Sequence, residues 1–124
     1  MAMWTRDELD KIGKAEELQI ASLRGDGTAK KPVTIWIIRV GDELYVRSVN
    51  GRSSSWFRGV EVRHEGRISV GGVEKEVAFS DADPMLNEAI DAAYRAKYRR
   101  HQASIVDSIV SPEARSATIR LLPL

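Results

Sequence analysis

The feature that most limits the fold is a series of short strand-like segments separated by tight turns. The clearest is residues 33–40, which follow Pro32 and read Val-Thr-Ile-Trp-Ile-Ile-Arg-Val. Both alternating faces of this segment are apolar, which is typical of a strand that is covered on both sides. Gly41-Asp42 follows directly and has the composition of a two-residue hairpin loop. The segment therefore predicts a central strand of an antiparallel sheet.

Five further segments continue this pattern along the chain. Residues 18–23 alternate before the turn signal at 25–27, and residues 44–49 return from the hairpin. Residues 67–70 and 73–79 flank Gly71-Gly72, and residues 117–122 supply a last strand. A twisted sheet of short strands tends to curl, so we predict an α+β, mainly β chain whose six strands form a mostly antiparallel small barrel.

Three helical segments accompany the strands. Thr5 and Glu8 form a capping-box pattern that predicts an N-terminal helix. A short helix is predicted near 54–60, after the capping residue Ser54, and a long helix near 84–101, after Asp83-Pro84. Along the long helix Tyr94 and Tyr98 share one apolar stripe with Leu86 and Ile90, so both tyrosines are predicted to be buried. Residues 105–110 extend the helical periodicity until Pro112.

Composition narrows the range of functions without naming one. The length of 124 residues predicts a single domain over 1–124, and 19 basic minus 18 acidic residues leave a charge of +1. That balance argues against general affinity for nucleic acid or membranes. The chain has no cysteine and no apolar run near the ~20 residues of a membrane span, so the cytoplasm is the expected location. His64 and His101 lack the neighbours of a metal site or catalytic triad, so we predict no metal and name no catalytic residue.

The segment 47–58 is the strongest candidate binding site. It brings several cationic and hydroxyl side chains close to a predicted helix start, where free backbone N–H groups favour an anion. The candidate phosphate ligands are Arg47, Ser48, Ser54, Arg58 and, from the preceding loop, Lys31. Side-chain alternation places Arg47 on the outer face of its strand and Ser48 on the inner face, so Arg47 ranks above Ser48. A capped polar loop without a ligand is an equally good interpretation of these residues.

A nucleic-acid interface is the second alternative. The tail of the long helix, residues 94–100, mixes arginines and a lysine with two tyrosines, and such a surface can contact phosphates and stack bases. Both tyrosines fall on the apolar stripe, however, and the net charge is near zero. We therefore interpret the charges as a solvated helix end that complements the helix dipole, with nucleic-acid binding disfavoured.

The order of motifs resembles a known group of proteins. Residues 41–48, 55–58, 90–98 and 117–121 resemble a small uncharacterised bacterial family related to the deazaflavin-dependent nitroreductases. More distantly, they resemble the pyridoxamine-phosphate-oxidase-like split barrels that bind flavin. In those relatives a Gly-Arg-Lys-Ser-Gly-like loop precedes a strand, and here residues 27–32 keep only its basic character. Relatives also carry a tryptophan-aromatic-x-asparagine motif, where this chain has Trp56, Phe57 and Gly59.

The resemblance implies a split β-barrel that forms a homodimer, with FMN or a deazaflavin in the cleft between subunits. It implies an oxidoreductase of a small electrophilic or quinone-like substrate, with Trp36 and Trp56 packing against the cofactor ring. A partner subunit is expected to cover Trp36 and Ile38, because the strand 33–40 is more apolar than one barrel face requires. The alternative is a split barrel without cofactor that serves as a ligand-binding or interaction module.

Overall fold

The computed structural model describes residues 3–70 and 72–124. The helices are α1 (Arg6–Lys14), α2 (Ser55–Arg63), α3 (Asn87–Lys97), α4 (Ala103–Ile109) and α5 (Pro112–Ser116). The strands are β1 (Leu18–Ser22), β2 (Val33–Ile35), β3 (Ile37–Val40), β4 (Glu43–Arg47), β5 (Glu65–Val70), β6 (Val73–Asp81) and β7 (Thr118–Pro123). Single 3₁₀ turns cover Gly51–Ser53 and Pro84–Leu86. No helix in the described ranges has the length and apolar character needed to cross a membrane.

The strands form one antiparallel sheet in the order β2-β1-β5-β6-β7-β4-β3. Its two edge strands, β2 and β3, are consecutive in the chain and are separated only by Trp36. The edges of the sheet are therefore held together at this residue, and the sheet curls into a nearly closed barrel with a split there. The predicted α+β, mainly antiparallel class is confirmed.

The predicted count of six strands is wrong by one. The single strand expected over 33–40 is interrupted at Trp36, so that β2 pairs with β1 while β3 pairs with β4. The break has a geometric reason. The first half of the segment pairs with β1 at one edge of the sheet and the second half pairs with β4 at the other edge, so the chain must turn between them. An alternating apolar pattern does not show where such a corner lies.

Two apolar cores account for the doubly apolar character of this segment. Ile37 lies inside the barrel with the apolar residues of α1 and α2, whereas Ile38 lies outside, under α3. Tyr94 and Tyr98 belong to the outer core and are fully buried, as predicted. Ile38 is only 1% exposed in the isolated chain. Ile38 therefore needs no partner subunit to cover it, because α3 of the same chain already does.

The helix ends follow their capping residues, but two predicted lengths need correction. Thr5 and Glu8 form the expected capping box at the start of α1. The single helix predicted near 84–101 is shorter, because it begins as a 3₁₀ turn after Asp83 and ends at Lys97. Conversely, α2 continues beyond residue 60 to Arg63, where His64 adopts φ 35°. The predicted turn at Gly71-Gly72 is described only in its second residue, since Gly71 lies outside the described residues. Gly72 has the positive φ, 82°, that such a turn needs.

Candidate functional site

An apolar slot of about 370 Å³ lies beside the barrel split. Its walls come from β2 with Trp36, from the segment that follows β4, from the start of α2, and from α4. The lining residues are Val33, Thr34, Ile35, Trp36, Arg47, Ser48, Val49, Asn50, Ser54, Trp56, Ile105, Ser108 and Ile109. The slot therefore brings together five of the residues predicted from sequence: Trp36, Arg47, Ser48, Ser54 and Trp56.

A second, more polar cleft of about 480 Å³ continues from this slot. The two cavities share Val33 and Trp56 as lining residues, so they are adjacent across these side chains. The remaining residues that line the second cleft are Ser22, Arg24, Lys30, Lys31, Pro32 and Ser55. Together the cavities form what we call the composite cleft: a tryptophan-lined apolar end and an end that carries three cationic residues.

The cationic end contains an unpartnered buried hydroxyl. Ser22 is only 2% exposed, and its Oγ makes no hydrogen bond. Lys30 lies beside it: a Cβ placed on Gly59 would stand 2.2 Å from Ser22 Oγ and 3.2 Å from Lys30 Nζ. A buried hydroxyl without a partner is costly, and such a group calls for an explanation. The hydroxyl and the amine therefore lie near each other beside Gly59, and both residues line the cationic end of the cleft.

The same contacts explain Gly59. Residue 59 has no room for a side chain, because α2 packs directly on the end of β1 at Ser22. The asparagine of the relatives' motif would need Ser22 and Lys30 to move. The glycine is therefore a packing requirement of this chain, and it permits the close approach that places Lys30 in the cleft.

The N-terminus of α2 also opens into the composite cleft. Its N-cap Ser54 makes no side-chain capping bond to the helix. The Ser54 hydroxyl instead lies 2.7 Å from the hydroxyl of Ser48. Helix N-termini favour anions because their first backbone N–H groups have no partner within the helix. Ser48 and Ser54 thus lie in contact, and the helix start stays open to an acceptor.

Arg47 occupies a different environment from the one expected. It lies on the outer face of β4, as side-chain alternation predicts, but α3, α4 and α5 cover that face and its side chain is 0% exposed. Its guanidinium donates to Asp91 and to Thr118 Oγ1 at 2.9 Å. The other acceptors are the carbonyl of Ile109 and two oxygens of Asn87. Since every guanidinium nitrogen has an acceptor, Arg47 is removed from the candidate anion ligands.

Asp91 binds two arginines at once. One carboxylate oxygen accepts from Arg47, and the other accepts from Arg115, whose Nε lies 2.9 Å away. Burial by itself would raise the pKa of Asp91, but the hydrogen bonds from Arg115 and Arg47 outweigh it and hold the pKa below its usual range. The aspartate therefore stays ionised and compensates the charge of Arg47 beneath the helices.

Trp36 is held in position from behind. Its indole stacks on Tyr98 with ring centroids 3.8 Å apart and planes 2° from parallel. The Tyr98 hydroxyl lies 3.1 Å from the Ile37 backbone N–H, and Lys97 Nζ donates to the Ile37 carbonyl at 2.5 Å. Burial lowers the pKa of Lys97 to about 8, and the negative charge of Glu16 opposes that shift. The end of α3 thereby fixes the strand break that presents Trp36 to the slot.

The other two predicted ligands have different positions. Lys31 is exposed and lines the cationic end, together with Lys30. Arg58 is exposed on α2, and it lines neither part of the composite cleft. Arg58 is thus not among the residues that the fold brings together.

Sequence reasoning missed Ser22 and gave no binding role to Lys30. Ser22 continues the inward alternation of Leu18 and Ile20, and a serine at the buried end of such a series was the available signal. Lys30 could not be separated from Lys31, because the turn geometry that orients the loop is not encoded in an alternating pattern. The backbone N–H of Lys30 donates to the Ser22 carbonyl at 2.9 Å, and this hydrogen bond holds the two residues side by side.

The composite cleft has cations and hydroxyls but few groups that could transfer protons. Its apolar end is lined by no aspartate, glutamate, histidine, lysine or tyrosine. Among the described residues, no cluster of three metal-ligating side chains occurs. The arrangement suits the binding of an anionic ligand with a flat apolar part better than acid–base catalysis by side chains.

Comparison with solved structures supports the split-barrel interpretation of the fold. A Listeria innocua protein whose name refers to pyridoxamine 5′-phosphate oxidase is 17% identical, with a TM-score of 0.65 over 93% of this chain and 89% of its own. An F420 reductase is 15% identical, with a TM-score of 0.61 over 94% and 92% of the two chains. The heme storage protein HutZ from Vibrio cholerae is 14% identical, with a TM-score of 0.69 over 100% and 92%. At these identities the similarity shows a shared fold.

At the level of sequence, no curated protein matches the chain. One family model matches the chain over residues 8–121. This range includes nearly all of the sheet and all five helices, apart from the first two residues of α1. The predicted membership of a small uncharacterised bacterial family is confirmed. The chain belongs to the family described as "Uncharacterized protein conserved in bacteria (DUF2255)".

Proposed function

We propose that this protein binds a phosphate-bearing flavin-type cofactor, FMN or a deazaflavin, in the composite cleft and acts as an oxidoreductase. The observation that carries the proposal is the continuity between the two cavities. The unpartnered Ser22 hydroxyl and Lys30 lie in one cavity, and the tryptophan-lined slot lies in the other. Flavin mononucleotides have this division, with an anion at one end and a flat ring system at the other.

The phosphate would be held at the cationic end. Lys30 and Lys31 supply positive charge, Ser22 supplies a hydroxyl donor, and the start of α2 supplies backbone N–H groups. The ion pairs of the described residues include none with either lysine. Neither charge is therefore neutralised by the protein, and both remain available to a phosphate.

The ring would occupy the apolar end. Trp36 and Trp56 face this slot, and Trp36 is held by its stack on Tyr98. A bound flavin or deazaflavin supplies hydride transfer, and the protein supplies binding, orientation and exclusion of water. The names of two solved structures with this fold, an F420 reductase and a protein named after pyridoxamine 5′-phosphate oxidase, are in keeping with this proposal.

The substrate class follows from what the slot lacks. No ionisable side chain other than the fully engaged Arg47 lines it, so the chain offers no charge to bind a charged substrate there. A small, flat, uncharged electrophile such as a quinone fits these walls. Any proton that accompanies hydride transfer would come from solvent, since the four hydroxyls that line the slot, those of Thr34, Ser48, Ser54 and Ser108, are weak acids.

We also propose that the active form is a homodimer that closes over the composite cleft. Three of the large apolar side chains that the chain leaves exposed lie on its rim: Val33 at 36%, and Val49 and Ile105 at 46% each. A second subunit over this rim would remove them from water. Light scattering tests the proposal: a mass near twice 13.8 kDa supports it, and a concentration-independent mass near 13.8 kDa contradicts it.

A split barrel without redox activity is the alternative that one observation favours. Gly59 replaces the asparagine of the relatives' motif, and its surroundings leave no space for that side chain. The same cleft would then hold a phosphate-bearing ligand that is not a flavin. The two proposals differ in one visible property, because only flavins and deazaflavins absorb in the near-ultraviolet and blue.

The deciding experiment is the absorption spectrum of protein purified from its native host, since an expression host need not make deazaflavin. A flavin or deazaflavin band that stays with the protein through gel filtration supports the proposal, and reduction of a quinone by the same preparation supports the activity. A colourless protein that also fails to take up FMN and a deazaflavin on reconstitution would contradict it and leave the non-redox alternative.

A further inference from the structure

A further cavity of the described chain lies away from the composite cleft. It is a groove of about 710 Å³ between the N-terminal segment and the outer face of β7. Its lining residues are Met3, Trp4, Arg6, Leu9, Arg39, Asp42, Glu43, Ala78, Arg120, Leu122, Pro123 and Leu124. None of them lines the composite cleft, and the volume is in the usual range for small-molecule sites.

The floor of this groove has a cationic end and an apolar end. Successive side chains of a strand alternate between faces, and Ile119 and Leu121 point into the barrel core. Arg120 and Leu122 therefore share the outer face, and Leu124 continues the stripe because its N–H bonds to the Glu76 carbonyl at 3.2 Å. From Arg120 to Leu124 the stripe is about 13 Å long at the usual rise of a strand.

Arg120 differs from Arg39, which lines the same groove, in making no side-chain hydrogen bond or ion pair among the described residues. Its Nε is buried and makes no hydrogen bond. Arg39, in the same groove, is engaged by Asp10 at 3.0 Å and by the Gly41 carbonyl at 2.7 Å. A guanidinium offers paired N–H groups that match a carboxylate, and a buried N–H without an acceptor is costly. The groove thus offers an unused carboxylate-binding group at one end of an apolar stripe.

From these features we infer that the groove binds a small amphipathic carboxylate. Its carboxylate accepts from the guanidinium of Arg120, whose side chain lines the groove, and its alkyl or aryl part lies along Leu122 and Leu124, against Trp4. This site is separate from the proposed cofactor cleft and does not depend on it. Glu43 of β4 also lines the groove; it precedes Leu44, which pairs with Leu121 of β7. Its negative charge opposes the binding of an anion there.

Titration calorimetry with octanoate tests this inference, with octanol as the uncharged control of equal length. Wild-type protein is expected to bind octanoate more tightly than octanol. Arg120→Met is expected to weaken octanoate binding by about tenfold or more and to leave octanol unchanged, as for the loss of a charge-assisted hydrogen bond. Glu43→Gln is expected to strengthen octanoate binding. Arg67→Met removes an exposed arginine from another strand and serves as the matched control.

The position of the ligand is read from the indole N–H signals in a proton–nitrogen NMR spectrum. Trp36→Phe and Trp56→Phe assign two of the three tryptophan signals, and octanoate should shift the third, which is Trp4. If Arg120→Met does not fold, Arg120→Lys keeps the charge without Nε and should still weaken binding. The inference is overturned if octanoate does not bind, binds no better than octanol, binds equally to the arginine variants, or shifts Trp36 and Trp56 instead of Trp4.

Discussion

Two cationic residues of this protein, Arg47 and Lys30, lie in opposite situations. Arg47 is buried under α3 to α5 with an acceptor on every guanidinium nitrogen. Lys30 lies half-buried at the edge of a cleft, beside a serine hydroxyl that has no partner. The sequence predicts Arg47 as an anion ligand, because an arginine on a strand, a glycine-containing loop and a serine-capped helix start lie within a dozen residues. The structure favours Lys30.

The difference teaches how to separate a structural charge from one available to a ligand. A buried charge must be compensated, and Arg47 has an ion pair with Asp91 and neutral acceptors within the protein for its other N–H groups. A polar group that the protein leaves unsatisfied at a cavity has free hydrogen-bonding capacity that a ligand can use. By this criterion the Arg47 cluster holds the helices on the barrel, and the Ser22–Lys30 pair is part of the binding site that we propose.

The largest effect is expected from Asp91→Ala. The substitution leaves Arg47 charged and buried without its carboxylate, which typically costs about 3–5 kcal/mol of unfolding free energy. Because the pKa of Asp91 is lowered in the folded protein, its contribution is present at neutral pH and is lost only as pH falls through that lowered pKa. Urea denaturation measures the loss. Arg115→Ala is the matched control: it removes the 41%-exposed partner of the same carboxylate and should cost clearly less.

An intermediate effect is expected from Gly59→Ala. The new Cβ would stand 2.2 Å from Ser22 Oγ and 3.0 Å from Ser22 Cβ, so overpacking should cost about 1–3 kcal/mol. Part of that loss is offset by the better helix propensity of alanine, at most about 1 kcal/mol. The double variant Ser22→Ala/Gly59→Ala removes one of the clashing atoms and should recover part of the stability. Equal stability of the single and double variants would show that α2 does not pack on Ser22.

A smaller effect is expected from substitution of Lys97, whose situation lies between that of the fully engaged Arg47 and that of Lys30. The Lys97 amine is half-buried, and this burial lowers its pKa from 10.5 to about 8, although the amine donates to a backbone carbonyl. Between those values the unfolded chain binds more protons than the folded one, so this group makes stability rise with pH. Unfolding free energies measured at pH 7.5 and 9.5 should increase in wild-type protein relative to Lys97→Met. A parallel pH dependence in the two proteins would contradict the lowered pKa.

Much of the fold could be predicted from the sequence because it depends on local patterns. Capping residues such as Thr5 and Asp83 mark helix starts, and glycine turns mark hairpins. The break at Trp36 could not be predicted, because it depends on which strand each half of the segment 33–40 pairs with. Likewise, Arg47 is buried because α3 to α5 pack on the outer face of β4. The alternation of side chains along a strand does not encode which face the helices cover.

The site was predicted in part for the same reason. The segment around Ser48, Ser54 and Trp56 is contiguous in the chain, and its members meet in the slot. Ser22 joins them only through the packing of α2 on β1, a contact between residues far apart in sequence. Local reasoning therefore identified residues that lie together in the slot, but it did not show that Arg47 is covered by helices or that Ser22 and Lys30 lie side by side.

The most direct test of the composite cleft compares FMN with riboflavin, which differ only in the phosphate, by titration calorimetry. A deazaflavin measured with and without its phosphate completes the set. Wild-type protein is predicted to favour the phosphorylated form, and Lys30→Met to remove about ten- to a hundredfold of that preference without changing riboflavin binding. Arg58→Met, which removes an exposed cation outside the cleft, should leave the preference intact. Equal binding of the phosphorylated and unphosphorylated forms to wild-type protein, or the same preference in Lys30→Met, would contradict the account.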